Sequence, residues 1–140
     1  MNDKTTHTGT CLCGTVRIGI TPNDKKLGAC HCGMCRKWGG GPFLCVHTEQ
    51  DVVIEGADSV AIFESSQWAE RGFCGRCGTH LFYRLKGNAH YALPVGLFDD
   101  LQWTLEEQIF IDEKPPYYDF ANVTQNKTGA EVFAQYAPPE

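Results

Sequence analysis

Phe73-Cys74-Gly75-Arg76-Cys77-Gly78-Thr79 sets two thiols three positions apart among glycines. Such a knuckle lets neighbouring backbone amides approach the sulfurs, because glycine removes the side chains that would hold them off. Two ligands do not close a site, so the reading turns upstream for the others. Cys11-Leu12-Cys13 supplies them. Two apart on an extended segment, Cys11 and Cys13 would face the same way and grip one ion together. With Cys74 and Cys77 they make four thiolates, the set that closes a tetrahedral structural zinc site at Zn–S distances of ~2.3 Å. One ion would then tie the first strand to the middle of the chain. Structural zinc contributes on the order of 10 kcal/mol to folding in small peptides, comparable to the whole stability of a domain.

Between these pairs lies Cys30-His31-Cys32-Gly33-Met34-Cys35, so seven of the eight cysteines stand at metal-ligand spacings. Three protein ligands leave a tetrahedral ion one open position, the mark of a working rather than a sealed zinc site. Three thiolates also carry more negative charge than the ion neutralises, which weakens its Lewis acidity. Water starts from a pKa of ~15.7 and needs a large shift to ionise at neutral pH. A thiol starts near ~8.5 and needs only a small one. The open position therefore suits an incoming thiolate better than hydroxide. Two zinc ions per chain and a small thiol substrate are the expectation.

The 140 residues fit a single domain, 1–140, with 42% hydrophobic and 21% charged residues, an ordinary globular balance. No apolar run reaches the ~18 residues of a membrane span. The polar start, Met1-Asn2-Asp3-Lys4-Thr5-Thr6-His7, lacks the charged-then-apolar order of a secretory signal. A cytoplasmic, reducing location follows, and metal sites are favoured over four disulfides. The net charge of −5 has the wrong sign for a surface that neutralises many phosphates, so no nucleic-acid partner is expected. Arg36, Lys37, Arg71, Arg76 and Arg84 fall near the clusters and would either make a local positive pocket or, the blander reading, be solvated surface charges.

Short alternating segments bounded by turn residues predict a mostly β fold. Thr15 to Ile20 sets Val16, Ile18 and Ile20 on one face before the Thr21-Pro22-Asn23-Asp24 turn. Further strands are expected at Phe43 to His47, Val52 to Ile54, Val60 to Glu64, His80 to Leu85, Tyr91 to Val95 and Gln108 to Ile111. Helix signals are few. Thr128-Gly129-Ala130-Glu131 has capping-box spacing, and a short helical turn is expected at Cys35 to Trp38 before Gly39-Gly40-Gly41-Pro42 ends it. That glycine run would either bring amides to a bound carboxylate or be a plain turn. His31, turned away from its neighbours, is not counted as a ligand; the packed surface residue is preferred over the proton carrier. Cys45, in the apolar Phe43-Leu44-Cys45-Val46, reads as a core thiol, with a fourth ligand for the middle cluster as the minority reading. His80 is a satisfied structural histidine or a pocket residue. Phosphate-loop, dinucleotide and nucleophile-elbow motifs are absent.

At these residues the chain resembles the glutathione-dependent formaldehyde-activating enzyme family, which includes centromere protein V-like proteins. Gly9 to Arg17, Cys30 to Lys37 with Gly40 to Phe43, and Phe73 to Thr79 carry the likeness, and weaker similarity runs through Val95 to Asp100 and Ile109 to Tyr118. The resemblance implies an Mss4-like β-sheet fold, a structural zinc on Cys11, Cys13, Cys74 and Cys77, and a catalytic zinc on Cys30, Cys32 and Cys35. It also implies a carbon–sulfur lyase that joins glutathione and formaldehyde into S-hydroxymethylglutathione. Gln108 and Tyr117-Tyr118 depart from the histidine and tryptophan that many relatives carry in that region. A non-catalytic Mss4-like interaction module is the competing expectation, and a protein side chain closing the fourth position of the middle site would favour it. Chromatin association, by analogy with the centromeric relatives, conflicts with the acidic balance.

Overall fold

The computed structural model describes residues 6–49, 52–87 and 90–136. In chain order the elements are β1 (His7–Thr10), β2 (Arg17–Ile20), β3 (Lys26–Cys30), α1 (Gly33–Gly39), β4 (Phe43–Thr48), β5 (Val53–Glu55), β6 (Val60–Phe63), β7 (Ala69–Cys74), β8 (His80–Leu85), β9 (Tyr91–Pro94), β10 (Thr104–Ile109), β11 (Gln125–Lys127) and α2 (Gly129–Tyr136). Single turns of 3-10 helix lie at Ala57–Ser59, Val95–Leu97 and Ile111–Glu113. The expected strands are all present, shifted by a residue or more at most ends. Four others, β1, β3, β7 and β11, had no sequence expectation. Three of them break the alternating apolar pattern with glycine, lysine or charge, and β11 is the polar triplet Gln125-Asn126-Lys127.

Two compact units divide the chain: one holds residues up to Lys25 and Val46–Trp103, the other Lys26–Cys45 and the residues from Thr104 on. In the first unit, β1-β2-β5 form a three-stranded antiparallel sheet, with Gly9 opposite Ile18 and Ile18 opposite Ile54. Val16, Ile18 and Ile20 are buried as the alternation requires. Gly56 follows β5 at φ +80, where any Cβ would meet the Thr15 carbonyl at 2.1 Å, so the turn that closes this sheet admits only glycine. The end of β4 lies beside β9, followed by β8, β7 and β6 in antiparallel order. Leu81, Phe82 and Leu93 are buried there, and a Cβ on Gly72 would fall 2.3 Å from the Phe82 ring, so the ring takes the space that glycine leaves.

Arg71 is buried, with its guanidinium 5.0 Å from the centre of the Tyr83 ring, and Arg84 pairs with Glu70 and donates to Tyr91 Oη at 3.1 Å. Arg71 is therefore built into the sheet rather than being the solvated charge expected of it, while Arg84 is half-buried and tied down by Glu70 and Tyr91.

In the second unit the order is β11-β10-β3-β4. β10 runs parallel to both β3 and β11, setting Gln108 beside Ala29 and Asn126. β3 is antiparallel to β4, with Cys30 opposite Phe43. α1 ends as its glycines predict: Gly40 adopts φ +87 and its amide donates to the Arg36 carbonyl at 2.8 Å. That amide is engaged in the helix cap, so at Gly40 the turn reading wins over the carboxylate cradle. The capping box at α2 also forms, with Thr128 N donating to Glu131 Oε1 at 2.8 Å and Glu131 N to Thr128 Oγ1 at 3.2 Å. Among the described residues no helix is long and apolar enough to cross a membrane.

Candidate metal centres

Four sulfurs converge in the first unit. Those of Cys11, Cys13, Cys74 and Cys77 all lie within 4.8 Å of one another, with Cys11 to Cys13 at 3.5 Å and Cys13 to Cys74 at 3.8 Å. The sulfurs of Cys11 and Cys13 meet through a turn rather than along the extended segment expected. Gly14 N donates to the Cys11 carbonyl at 3.0 Å and Gly14 takes φ +79. The knuckle closes through a turn one residue longer, with Gly78 N on the Cys74 carbonyl at 2.8 Å and Gly78 at φ +82. Amides reach the sulfurs as expected: Val16 N lies 3.3 Å from Cys11 Sγ and Arg76 N 3.4 Å from Cys74 Sγ.

Two threonines join the site that the spacing argument had missed. Cys13 Sγ lies 3.2 Å from Thr15 Oγ1, and Cys77 Sγ 3.2 Å from Thr79 Oγ1. Thr79 Oγ1 also accepts from Leu12 N at 3.1 Å, which links the two cysteine pairs. Hydrogen bonds from Thr79, from its hydroxyl first and then its amide, hold the Cys77 thiol down to about 5, and Thr15 lowers Cys13 in the same way. Burial pushes Cys74 up. A repeated tripeptide carried the signal, since Cys13-Gly14-Thr15 and Cys77-Gly78-Thr79 are the same three residues in the same geometry.

Three sulfurs converge in the second unit, where Cys30, Cys32 and Cys35 also lie within 4.8 Å of one another. Cys30 ends β3, held between Phe43 and Ile109. Cys32 is the N-cap of α1 and its Sγ accepts from Cys35 N at 3.3 Å. The helical turn from Cys32 to Cys35 brings their sulfurs onto the side that Cys30 faces. Cys32, then Cys35, then burial push the Cys30 thiol strongly upward, because three crowded sulfurs cannot all ionise unaided. A cation among them removes that conflict. The donor chemistry of both clusters therefore fits a thiophilic metal, and each cluster could bind one.

His31 is fully buried, not the surface residue expected, and its ring does not join the three sulfurs. Its Nε2 lies 2.8 Å from Gln108 Oε1 and its Nδ1 2.8 Å from Tyr118 Oη. Gln108 Nε2 donates to Thr124 Oγ1 at 2.9 Å, and Thr124 in turn donates to Asn126 Oδ1 at 2.7 Å. This chain fixes every proton: His31 Nε2 donates to Gln108, and its Nδ1 accepts from Tyr118. Burial, helped by the charges of Lys114 and Arg36, outweighs the Gln108 contact and holds the imidazole below its ordinary value. Arg36 Nε donates to the His31 carbonyl at 2.9 Å, and His31 N to the Ile109 carbonyl at 3.1 Å. Gln108 and Tyr118 are thus the two side chains that pin the histidine of the middle cluster.

Cys45 is buried opposite Gly28 and does not join the three sulfurs. The core reading holds for it. His80 is half-buried and borders a cleft of about 540 Å³ that includes Cys11, Leu12, Thr79 and Asp99, on the four-cysteine side. Burial and then Arg71 lower its pKa.

The model of the glutathione-dependent formaldehyde-activating enzyme family matches residues 6–113, which include all seven clustered cysteines. The chain belongs to that family. A formaldehyde-activating family chain with both cysteine clusters intact is an enzyme at the level of the family. A Schizosaccharomyces pombe protein named as an uncharacterized lyase is 36% identical over 128 residues, 90% of this chain and 93% of its own. Two fungal proteins named for glutathione-dependent formaldehyde activation match over shorter stretches. That of Podospora anserina is 37% identical over 82 residues, 54% of this chain and 38% of its own. That of Aspergillus flavus is 35% identical over 81 residues, 54% and 42% respectively. The chain spans less than half the length of these two. A solved Rhodobacter sphaeroides protein superposes with a TM-score of 0.60 at 21% identity, over 86% of this chain and 99% of its own, and shows a shared fold. The mostly β architecture with two short helices agrees with the Mss4-like expectation.

Proposed function

We propose that this chain is a zinc-dependent carbon–sulfur lyase-type enzyme, which joins glutathione and formaldehyde into S-hydroxymethylglutathione and runs the reverse cleavage. One observation carries the reading: among the described residues, Cys30, Cys32 and Cys35 form a group of three, with no fourth His, Cys, Asp or Glu converging on it. Cys45, the side chain that would have favoured a sealed interaction module, stays in the core. In this scheme Cys11, Cys13, Cys74 and Cys77 hold a structural zinc, and Cys30, Cys32 and Cys35 hold a catalytic one, two ions per chain. The catalytic zinc, when bound, would supply an open coordination position that favours a thiolate over a thiol.

The chain's own residues do the rest. β3 and the first turn of α1 fix the three sulfurs. The chain Tyr118-His31-Gln108-Thr124-Asn126 engages both ring nitrogens of the buried imidazole, so His31 acts as a pin for the segment from Cys30 to Cys32. In this scheme Arg36 and Lys37, the basic residues in the last turn of α1, engage a substrate carboxylate. In the reaction the glutathione sulfur attacks the formaldehyde carbon as the C=O π pair moves to oxygen. The oxygen then takes up the proton that the thiol gave up, so thiol and aldehyde combine with no redox partner. A reducing, cytoplasmic setting matches seven clustered thiols and a thiol substrate.

Exchange NMR with 13C-labelled formaldehyde and glutathione tests this directly. The zinc-loaded protein should raise the rate of interconversion with S-hydroxymethylglutathione at least tenfold over the spontaneous rate at micromolar concentration. Interconversion at the spontaneous rate, with both zinc ions verified, would refute the assignment.

A further inference from the structure

We propose that His47 and His90 form a further metal site, a two-histidine chelate for a divalent first-row transition ion such as Zn²⁺, oriented by Glu49. Neither ligand belongs to a cysteine cluster, and the site does not depend on the catalytic reading above. His47 lies on β4 and His90 directly precedes β9, the strand beside β4 in the sheet. The pairing of those strands brings the rings together, 5.2 Å between centres at 45°.

The distance between the nitrogens is what points to a metal. His47 Nδ1 and His90 Nε2 are 3.1 Å apart. Two imidazole nitrogens bound at 2.0–2.1 Å to one tetrahedral ion stand about 3.3 Å from each other. The pair therefore needs to open by only a few tenths of an ångström to admit an ion, a shift that ring rotations supply.

Glu49 decides which nitrogen carries the lone pair. Its Oε1 faces His90 Nδ1 at 3.4 Å, and an ionised carboxylate only accepts. His90 thus keeps its proton on Nδ1 and turns an unprotonated Nε2 toward His47. A carboxylate behind the imidazole is the arrangement that fixes tautomer and ring orientation at histidine–metal sites. Without an ion, His47 Nδ1 donates to His90 Nε2. On binding, His47 takes its other tautomer, with the proton on Nε2, so both facing nitrogens present lone pairs to the ion.

Exposure sets the character of the site. His47 and Glu49 are exposed, whereas His90 is 8% exposed and holds its ring in place. Two protein ligands leave the remaining positions to water, which makes an exchangeable site, weaker than four thiolates. Imidazole suits zinc, copper and nickel and is a poor ligand for magnesium or calcium.

The test starts from full-length protein already loaded with zinc at its cysteine sites, with metal content measured beforehand. Zinc chloride is titrated in by calorimetry, while long-range 15N spectra follow the histidine ring nitrogens. Wild type should bind one further zinc, with metal-induced shifts at His47 and His90 and none at His31. His47→Gln, on an exposed side chain, should weaken that event at least tenfold. Glu49→Gln should weaken it by roughly tenfold, the lower end of such outer-sphere effects. Magnesium chloride should give no shift. Absence of a further binding event, or one that His47→Gln leaves unchanged, would overturn the proposal.

Discussion

Cys74→Ser protein is expected to be insoluble, or soluble only as a metal-poor, unfolded chain. Cys74 is fully buried at the centre of four convergent sulfurs. Serine removes a thiolate that the site cannot replace, and the ion it helps hold contributes on the order of 10 kcal/mol. Losing that ion removes a contribution comparable to a domain's whole stability of about 5–15 kcal/mol, which leaves little to hold the fold. Cys11→Ser should do the same from the other side of the site. Circular dichroism and zinc content after purification measure the outcome; folded Cys74→Ser protein with both metals bound would contradict the assignment.

Cys32→Ser should behave in the opposite way, staying folded while it loses one zinc and the formaldehyde–glutathione exchange. Loop length separates the two sites. The four-cysteine ion bridges about 60 residues of chain and the three-cysteine ion only about six, a difference worth about 2 kcal/mol in closure entropy alone. Cys32 is also the N-cap of α1, a position that serine fills well, so the helix start survives the substitution. The expected result is native circular dichroism, one zinc fewer per chain, and exchange that falls to the spontaneous rate. Should Cys32→Ser unfold as completely as Cys74→Ser, the middle ion would be structural and the enzyme reading would lose its support.

The two cysteine clusters were legible in the sequence because cysteine spacing restricts geometry so strongly. Cys30, Cys32 and Cys35 stand on a strand end and one helical turn, and their spacing alone brings them together. The strands that went unseen are those whose side chains do not alternate, such as the glycine-interrupted β3 and the polar β11, which owe their place to parallel pairing with β10 rather than to their own pattern. His31 was misjudged for a related reason. Its neighbours in sequence are clustered cysteines, but its partners Gln108 and Tyr118 lie 77 and 87 positions away, and only the fold shows that they satisfy both ring nitrogens. The threonine contacts at Cys13 and Cys77 were readable in principle, since Cys-Gly-Thr occurs twice. What hid them was the assumption that Cys11 to Cys13 is extended, which aims Thr15 elsewhere.

The central claim is that the open position of the three-cysteine site selects thiolates. Calorimetry of the zinc-loaded protein with glutathione and with its S-methyl analogue tests it most directly, with metal content measured before and after so that zinc extraction is not mistaken for binding. Glutathione should bind more tightly as pH rises toward the thiol pKa of ~8.5, because the thiolate fraction grows. The S-methyl form, which presents no anionic sulfur, should bind at least tenfold more weakly at every pH. Equal affinity for the two would contradict the claim, even if all seven cysteines proved to be ligands.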